Sequence, residues 1–520
     1  MSTERFVLAI DLGTSGPKVG LVSTSGRVAD WSFEPVPLIL LPGGGAEQDP
    51  DDWWRALVTA ARRVVGQSHS SSEDIVAVAV TSQWSGTVPV DGSRHLGNAI
   101  IWMDSRGAPE IAELTRGPVS VSGFGLGKVY RWLRLTGGAP GHSGKDPIAH
   151  ILYLKHHQSE LYESATAFLE PKDYLNLRLT GVSAAGYDSI GLHFVTDNRD
   201  IDRVHYDEGL VRMSGIDRAK LPDLRSPTDI LGPLLPEVAR ELGLSAGTPV
   251  VMGTPDLHSA AIGSGAVRDY QGHLYLGTSS WILCHVPFKK TNIIRMIGSV
   301  PAAIPGRYLL LDEQESAGAC LNYLADNLGL RGDANAGNVY EGFDRVVERV
   351  PAGNRGVIFT PWLNGERSPV DDHHVRAGFF NQSLETTQED LIRSVFEGVA
   401  FNSRWLLGYV ESFTKHRMDE MRVVGGGANS DVWCQIHADV LDRTIHQVKD
   451  PILAGLRGVT FLAAVKLGYL QLDDIPDLVE INATYRPNPD HRAVYDRLYR
   501  EYLNLYKANR RIYARLNGTE

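Results

Sequence analysis

Short uninterrupted apolar runs in this chain alternate with longer stretches in which apolar residues recur at helical spacing. The short runs predict buried β-strands, and the periodic stretches predict amphipathic helices. Beyond two strand pairs described below, the predicted strands are residues 75–81, 98–102, 250–253, 307–311 and 421–424. The predicted helices are residues 50–65, 315–328, 386–415, 430–441 and 490–516, and residues 105–245 read as mostly helical. Strands that alternate with helices indicate a layered α/β fold.

The start of the chain and its middle share one pattern. Residues 6–22 form an apolar run, a Gly-Thr-Ser turn and a second apolar run, and residues 273–286 repeat this order. Each copy predicts two strands joined by a short turn that contains glycine. Because the copies lie about half the chain apart, we expect two related domains, residues 1–246 and 247–520. Chance repetition of a common hairpin is the alternative.

Composition narrows the functional classes. The chain has 520 residues, of which 43% are hydrophobic and 22% charged, as in an ordinary globular protein. Its net charge of −11 argues against a general nucleic-acid binder, whose affinity comes mainly from neutralising phosphates. Three widely spaced cysteines predict neither a disulfide framework nor a zinc site. With no signal peptide or apolar run long enough to span a membrane, we expect a cytoplasmic protein.

The first glycine turn suits phosphate binding. A glycine turn lets backbone N–H groups approach phosphate oxygens, and the hydroxyls of Thr14 and Ser15 and the charge of Lys18 add donors. Asp11, at the end of the strand, offers the oxygen ligand that hydrated Mg²⁺ prefers. The spacing matches neither a Walker loop nor a Rossmann motif. We predict a phosphate and Mg²⁺ site formed by these residues and Gly13; an ordinary hairpin is the alternative.

Two further glycine turns extend this prediction to a nucleotide. Gly277, Thr278 and Ser279 form the turn of the second copy, and two such hairpins on opposite walls would clamp a triphosphate. A structural turn is the alternative. The Gly-Gly-Gly-Ala run that starts at Gly425 would let a flat nucleoside lie against the backbone. A tight turn alone needs fewer glycines. The predicted nucleotide contacts in this run are Gly426, Gly427, Ala428 and Asn429.

Candidate groups for chemistry on a second substrate lie near strand ends. Asp256 follows a predicted strand, and its carboxylate would accept a proton from a hydroxyl nucleophile. A helix N-cap is the alternative, since Pro255 and Asp256 also suit a helix start. Ligand contacts in α/β proteins concentrate at such strand ends. The predicted contacts to this second substrate are Gln83, Trp84, Ser85, Asp104, Arg106 and Asp256. Surface loops without a ligand role are the alternative for the first five.

Taken together, these motifs resemble the FGGY carbohydrate kinases of the actin/Hsp70/hexokinase superfamily, and among them the xylulokinases. The resemblance covers nearly the whole chain in family order. It rests on Asp11 to Ser15 with Lys18; Gln83 and Gly86; Trp102 to Arg106; Pro171 to Leu175; Asp256; Gly277 to Ser279; Asn364 to Pro369; and Gly425 to Ala428. It implies two tandem RNase H-like (actin-like ATPase) domains with an ATP cleft between them, ATP and Mg²⁺ as cofactors, Asp256 as general base, and a sugar bound mostly by the N-terminal domain. Homodimers are common among such enzymes.

The sequence departs from the xylulokinase pattern at the sugar site. Trp84 and Ser85 stand where xylulokinases usually have Met-His, and Leu257 stands where they usually have Asn. The resemblance therefore implies that Leu257 is also a sugar contact. Polar contacts to substrate hydroxyls discriminate strongly, so such changes can redirect specificity. The resemblance implies phosphorylation of D-xylulose to D-xylulose 5-phosphate. The alternatives are ribulose, a tetrulose or a polyol as acceptor, or an actin- or Hsp70-like ATPase that is not a kinase.

Overall fold

The structure is a computed structural model that describes residues 4–67, 72–92, 94–121, 123–292, 297–330, 332–333 and 336–518. In its first half, strands β1 to β18 are Phe6–Gly13, Gly16–Ser23, Val28–Phe33, Ile39–Leu41, Gly45–Gln48, Ile75–Ser82, Val88–Asp91, Arg94–His95, Ala99–Ile100, Ser120–Val121, Phe124–Gly125, Ala167–Leu169, Ala184–Gly186, Thr196–Asp197, His205–Tyr206, Asp223–Arg225, Ile230–Pro233 and Pro249–Pro255. In the second half, strands β19 to β29 are Gly272–Leu276, Ser280–Val286, Thr291–Asn292, Ile297–Pro301, Tyr308–Leu311, Glu313–Gln314, Ile358–Thr360, Gly378–Phe380, Glu420–Val424, Thr444–Val448 and Ile481–Tyr485.

Helices α1 to α16 are Pro50–Gln67, Ala108–Thr115, Leu126–Leu135, Pro147–His157, Ser159–Ser164, Pro171–Thr180, Glu208–Ser214, Pro236–Leu242, Asp256–Gly263, Gly318–Asp326, Val339–Arg349, Gln388–Thr414, Asp431–Leu441, Ala454–Lys466, Ile475–Leu478 and Arg492–Asn517. The five predicted helices are confirmed as α1, α10, α12, α13 and α16. Helix α10 begins three residues later than predicted, because the backbone N–H of Ala317 instead donates to the Thr278 carbonyl. Within the described residues, no helix is both long and apolar enough to cross a bilayer.

Two large sheets repeat one topology. The first has the order β17-β18-β6-β1-β2-β3, and the second contains β29-β28-β27-β19-β20-β23 in the corresponding order. In each sheet, an antiparallel hairpin (β1–β2 or β19–β20) is followed by two strands parallel to its first strand. The sequence repeat therefore reflects a structural duplication. Strand β18 completes the first sheet, so this sheet extends to residue 255, beyond the predicted boundary at residue 247.

Helices α9 and α14 join the two halves, because each packs on the sheet of the other half. Helix α14, from the second half, packs its apolar side chains on the first sheet, where it shares a core cluster with residues of β1, β2, β6 and β18. Helix α9, which continues β18, shares core clusters with residues of the second sheet. Each helix thus covers the sheet of the other half, and the two helices cross between the sheets.

Glycines permit this crossing. A Cβ atom on Gly263 would lie 1.8 Å from the carbonyl oxygen of Ala454, and a Cβ on Gly458 would lie 1.9 Å from that of Ser259. Both clashes are with backbone, so they cannot be relieved by turning a side chain. The Ser259 hydroxyl also donates to the Gly455 carbonyl at 2.6 Å. The two helices therefore meet backbone to backbone.

We predict that Gly458→Ala destabilises the protein, because the added methyl group forces α9 and α14 apart. Overpacking of this kind lowers the free energy of unfolding by about 1–3 kcal/mol. The matched control is Gly408→Ala in the middle of α12, where a Cβ meets no atom within 4 Å. Alanine there should stabilise the helix by up to about 1 kcal/mol. Chemical denaturation of both variants tests this; equal stability of the two would contradict the packing argument.

Candidate active site

The first hairpin carries an ion pair between an acidic and a basic side chain on its two strands. Asp11 and Lys18 are paired across β1 and β2, and their side chains form an ion pair with Nζ 2.9 Å from Oδ2. Asp11 is buried. Burial acts to lower the pKa of Lys18, but the neighbouring Asp11 outweighs it, so the pKa lies above its usual value. Lys18 therefore presents a permanent positive charge at the base of this turn.

A network of polar side chains fixes the turn itself. The Thr14 hydroxyl donates to Gln83 Oε1 at 3.1 Å and accepts from Trp102 Nε1 at 2.9 Å. Gln83 Nε2 donates to Gln48 Oε1 at 2.8 Å, and Gln48 Nε2 donates to the Thr14 carbonyl at 2.7 Å. Thr14, Gln83 and Trp102 come from three separate sequence motifs. The fold uses Gln83, a predicted sugar contact, to hold the predicted phosphate hairpin in place.

Asp256 lies at the same sheet edge as Asp11. Strands β18 and β1 flank β6 and run parallel to it, so residues that follow or end them meet at one edge. The Asp256 carboxylate accepts from the Leu257 backbone N–H at 2.9 Å. Burial raises the pKa of Asp256 to about 7, with Asp11 and Glu313 adding negative charge while Lys18 opposes the rise. A carboxyl group with this pKa exchanges a proton near neutrality, as a general base must.

The second hairpin and the triple-glycine loop form one continuous surface. The Gly277 N–H donates to the Ser279 carbonyl at 3.0 Å, which closes the turn and leaves the Thr278 side chain exposed. Gly425 has a φ of 93°, and a Cβ there would lie 2.5 Å from the Leu276 carbonyl oxygen. The predicted phosphate turn and the predicted nucleoside loop therefore touch.

The triple-glycine loop presents an open backbone. Gly426 and Asn429 are exposed, and a Cβ on Gly426 would meet no atom within 4 Å. Gly427 has less room, since a Cβ there would lie 2.7 Å from the Trp433 ring. Ala428 is buried, and Asn429 Nδ2 donates to the Gly426 carbonyl at 3.2 Å. Gly426 and Asn429 are thus the members of this loop that a ligand can reach directly.

The second half of the chain reaches the first hairpin through α14. A Cβ on Gly455 would lie 2.7 Å from Asp11 Oδ2. Because this position is glycine, the start of α14 closes over the Asp11 carboxylate. The crossing of α9 and α14 therefore brings Asp11 and Asp256 together, and Tyr275 of the second hairpin lies near enough to act on the pKa of Lys18 in the first. We refer to the space between the two hairpins, Asp11 and Asp256 as the cleft.

The polar groups of two predicted sugar contacts, Trp84 and Ser85, form hydrogen bonds within the protein. Trp84 is 6% exposed, its Nε1 donates to the Ser189 carbonyl at 2.7 Å, and its ring meets His258 edge to face at 5.5 Å. His258 is fully buried, and burial lowers its pKa to about 3. Ser85 has a φ of 65° and donates to the Lys145 carbonyl at 2.8 Å. These contacts shape the wall of the cleft.

Asp104 and Arg106 pair with each other. Arg106 Nε donates to Asp104 Oδ2 at 2.9 Å, and its Nη2 reaches Glu47 Oε1 at 2.6 Å. The guanidinium also lies over the Tyr153 ring, 4.6 Å from its centroid. Asp104 is buried and accepts the Ala46 N–H at 2.8 Å. Within the described structure, both side chains are satisfied by protein partners.

Leu257, the remaining predicted contact, packs inward. It is partly buried against a core cluster that includes Trp281. No polar contact is available from this side chain, so it bounds the cleft as an apolar surface.

Sequence reasoning placed Arg367 in a motif but missed the charges that surround it across the cleft. Arg367 forms ion pairs with Glu313 and, at 3.0 Å, with Glu315. From the first half, the loop that carries Lys145 and Asp146 faces this group: Lys145 acts on the pKa of Glu313, and Arg367 acts on that of Asp146. Burial raises the pKa of Asp146 to about 6. Acidic residues directly after strand β23 were the signal that could have revealed this group.

One converging set of metal-binding side chains occurs among the described residues, and it lies elsewhere. Asp49, Asp51 and His95 place their ligand atoms within 4.8 Å of one another. Asp51 already pairs with His95 at 3.3 Å and with Arg178 at 3.2 Å. We assign no metal to this cluster, because hydrogen bonds and ion pairs account for it.

Comparison with known proteins agrees with this arrangement. Residues 6–263 match the N-terminal domain of the FGGY family of carbohydrate kinases, and residues 273–467 match its C-terminal domain. A xylulose kinase of Bacillus subtilis (strain 168) is 28% identical over 96% of this chain and 97% of its own length. An autoinducer-2 kinase of Klebsiella pneumoniae is 25% identical over 96% of this chain and 93% of its own.

The solved structures extend the agreement to three dimensions. The ligand-bound xylulose kinase of Lactobacillus acidophilus superposes with a TM-score of 0.86 at 25% identity, covering 98% of this chain and all of that one. The family models and this likeness together account for both halves of the molecule. The protein is therefore a carbohydrate kinase with two actin-like α/β domains, and it belongs to the FGGY family of carbohydrate kinases.

Proposed function

We propose that this carbohydrate kinase transfers the γ-phosphoryl group of ATP to D-xylulose, giving D-xylulose 5-phosphate. The observation that supports phosphoryl transfer best is the position of Asp256. It lies in the cleft beside the Asp11–Lys18 pair, and its pKa of about 7 suits it to accept a proton. The choice of D-xylulose is supported by the full-length likeness to xylulose kinases.

In this proposal, Asp256 orients a hydroxyl of the sugar and takes its proton. The hydroxyl oxygen forms a bond to the γ-phosphorus while the bond from that phosphorus to the β,γ-bridging oxygen breaks, and ADP leaves. Gly13, Thr14, Gly277 and Thr278 hold phosphate oxygens from the two hairpins. Lys18 stabilises negative charge on the transferred group.

Asp11 is the residue that would hold Mg²⁺, through water. It is a buried carboxylate at the foot of the phosphate hairpin with Lys18 as its ion-pair partner, which fits an ion that keeps much of its own water shell. When bound, Mg²⁺ would supply positive charge that offsets the negative charge of the phosphates.

The acceptor pocket favours a second candidate within the same reaction. Trp84, Ser85 and Leu257 replace residues expected of a xylulokinase, and one relative over the full length is an autoinducer-2 kinase. A different sugar or polyol, such as ribulose or a tetrulose, is therefore the alternative acceptor. The kinase chemistry is the same in both cases.

An acceptor panel distinguishes these candidates. With Mg²⁺-ATP, we expect ADP release to be strongly stimulated by D-xylulose, with kcat/KM at least about tenfold above that for other ketopentoses, tetruloses, aldoses and polyols. Coupled detection of ADP measures each acceptor. A higher kcat/KM for another sugar would replace D-xylulose as the substrate, and no stimulation by any acceptor would contradict the proposed sugar kinase activity.

Asp256→Asn tests the general base. The amide cannot accept the proton, so we expect kcat to fall by roughly 10²–10⁴-fold. The Asn oxygen can still accept the Leu257 N–H, so folding and ADP affinity should stay close to wild type. The matched control is Asp217→Asn, whose carboxylate only accepts the Ala219 N–H at 3.0 Å in an exposed turn. Retention of most of the turnover by Asp256→Asn would contradict the assignment.

The pH dependence provides a separate test. Asp256 must be ionised to act, so kcat/KM measured with both substrates below saturation should fall about tenfold per pH unit below a pKa near 7. Glu313 raises the pKa of Asp256, so Glu313→Gln should lower it and move the acid limb to lower pH. Glu237→Gln makes the same charge change at an exposed position on α8. The pH–rate profile of the Glu237 variant should match wild type; an unmoved limb in the Glu313 variant would show that another group titrates.

A further inference from the structure

Tyr275 lies beneath both glycine turns of the nucleotide side. It is the second-last residue of β19 and precedes Gly277, the first residue of the turn, by two positions. A Cβ on Gly277 would lie 2.2 Å from Tyr275 Cε1 and 2.6 Å from its hydroxyl oxygen. A Cβ on Gly425 would lie 3.1 Å from Cε2 of the same ring. The Tyr275 ring occupies the space that these two glycines leave open.

The ring is held in one orientation. Tyr275 and Trp281 are direct partners across β19 and β20, and their rings stack at 3.7 Å with an angle of 1° between the planes. Trp281 is 8% exposed and belongs to a core cluster against which Tyr275 also packs. The stack therefore sets where the phenol hydroxyl points, without using the hydroxyl itself.

The hydroxyl group is the one part of this side chain that the protein leaves unused. Among the described residues, no hydrogen bond reaches the Tyr275 oxygen. The charged groups that act on it are Lys18, Asp256 and Asp11, which are the groups assigned to phosphate, proton and Mg²⁺. Burial raises the pKa of Tyr275 to about 12, so the phenol keeps its proton at neutral pH and can donate it in a hydrogen bond.

We propose that the Tyr275 hydroxyl donates a hydrogen bond to an oxygen of the phosphoryl group while that group passes from ATP to the sugar. The proposal rests on the proposed kinase reaction and adds a donor that the predicted motifs do not contain. Phosphoryl transfer spreads negative charge over three equatorial oxygens, and fixed donors aimed at them stabilise the transition state. The phenol proton stays on Tyr275 throughout, so no further acid or base is required.

Tyr275→Phe removes the hydroxyl and keeps the ring that stacks on Trp281. Loss of one such donor is expected to lower kcat by roughly 10²-fold. The KM of the acceptor and the affinity for ADP should change by no more than about twofold, because the donor acts on the transferred group. Binding of ADP with aluminium fluoride and acceptor, a mimic of the phosphoryl group in transfer, should weaken by the same factor as kcat. Unchanged melting temperature would show that packing is preserved.

Trp281→Phe is the matched control. It reduces the size of the stacking partner while keeping the Tyr275 hydroxyl, and the Trp281 Nε1 has no hydrogen-bond partner among the residues that the structure describes. We expect a smaller loss of kcat than in Tyr275→Phe and no selective loss of the fluoroaluminate complex. A Tyr275→Phe enzyme with kcat within twofold of wild type would overturn the proposal, as would equal losses in both variants. Neither result would affect the assignment of Asp256, which its own variant tests independently.

Discussion

The active site depends on the place where two helices touch without side chains between them. Gly263 and Gly458 let α9 and α14 approach until backbone meets backbone, and each helix then covers the sheet of the opposite half. Asp256 is the first residue of α9, and Gly455 at the start of α14 lies against Asp11. The same contact that joins the two domains therefore sets the distance between the proposed base and the proposed phosphate hairpin.

Charges of opposite sign in the cleft have opposing effects on the pKa of Asp256. Burial with Asp11 and Glu313 nearby makes Asp256 hard to ionise, while Lys18 limits that effect. A carboxyl group with a low pKa would be a weak base, and one that stays protonated could not accept the proton of the sugar hydroxyl. Lys18 also holds Asp11 in place and supplies positive charge where phosphates are expected. One ion pair thus serves both structure and electrostatics.

Motif residues divide into those that face the cleft and those that build its frame. Gln83 and Trp102 hold the Thr14 turn, and Asp104 with Arg106 forms a satisfied ion pair. Trp84 is locked by a hydrogen bond to Ser189. Such frame residues matter for catalysis because a shift of the hairpins would misplace the reacting groups. A motif in the sequence therefore does not by itself separate a ligand contact from its support.

The sequence alone indicated the class of fold, the internal duplication, both glycine hairpins and five of the helices, because periodicity and glycine turns are local signals. It also pointed to Asp11, Lys18 and Asp256, whose residue types and strand-end positions carry their chemistry. It did not reveal the shared surface of Gly277 and Gly425, the Glu313–Arg367 charges opposite Lys145, or the Tyr275–Trp281 stack beneath the turns. These features are contacts between residues far apart in the chain, or they depend on the orientation of an aromatic side chain. Only the tertiary structure decides them, because distance through space and burial set both contacts and pKa values.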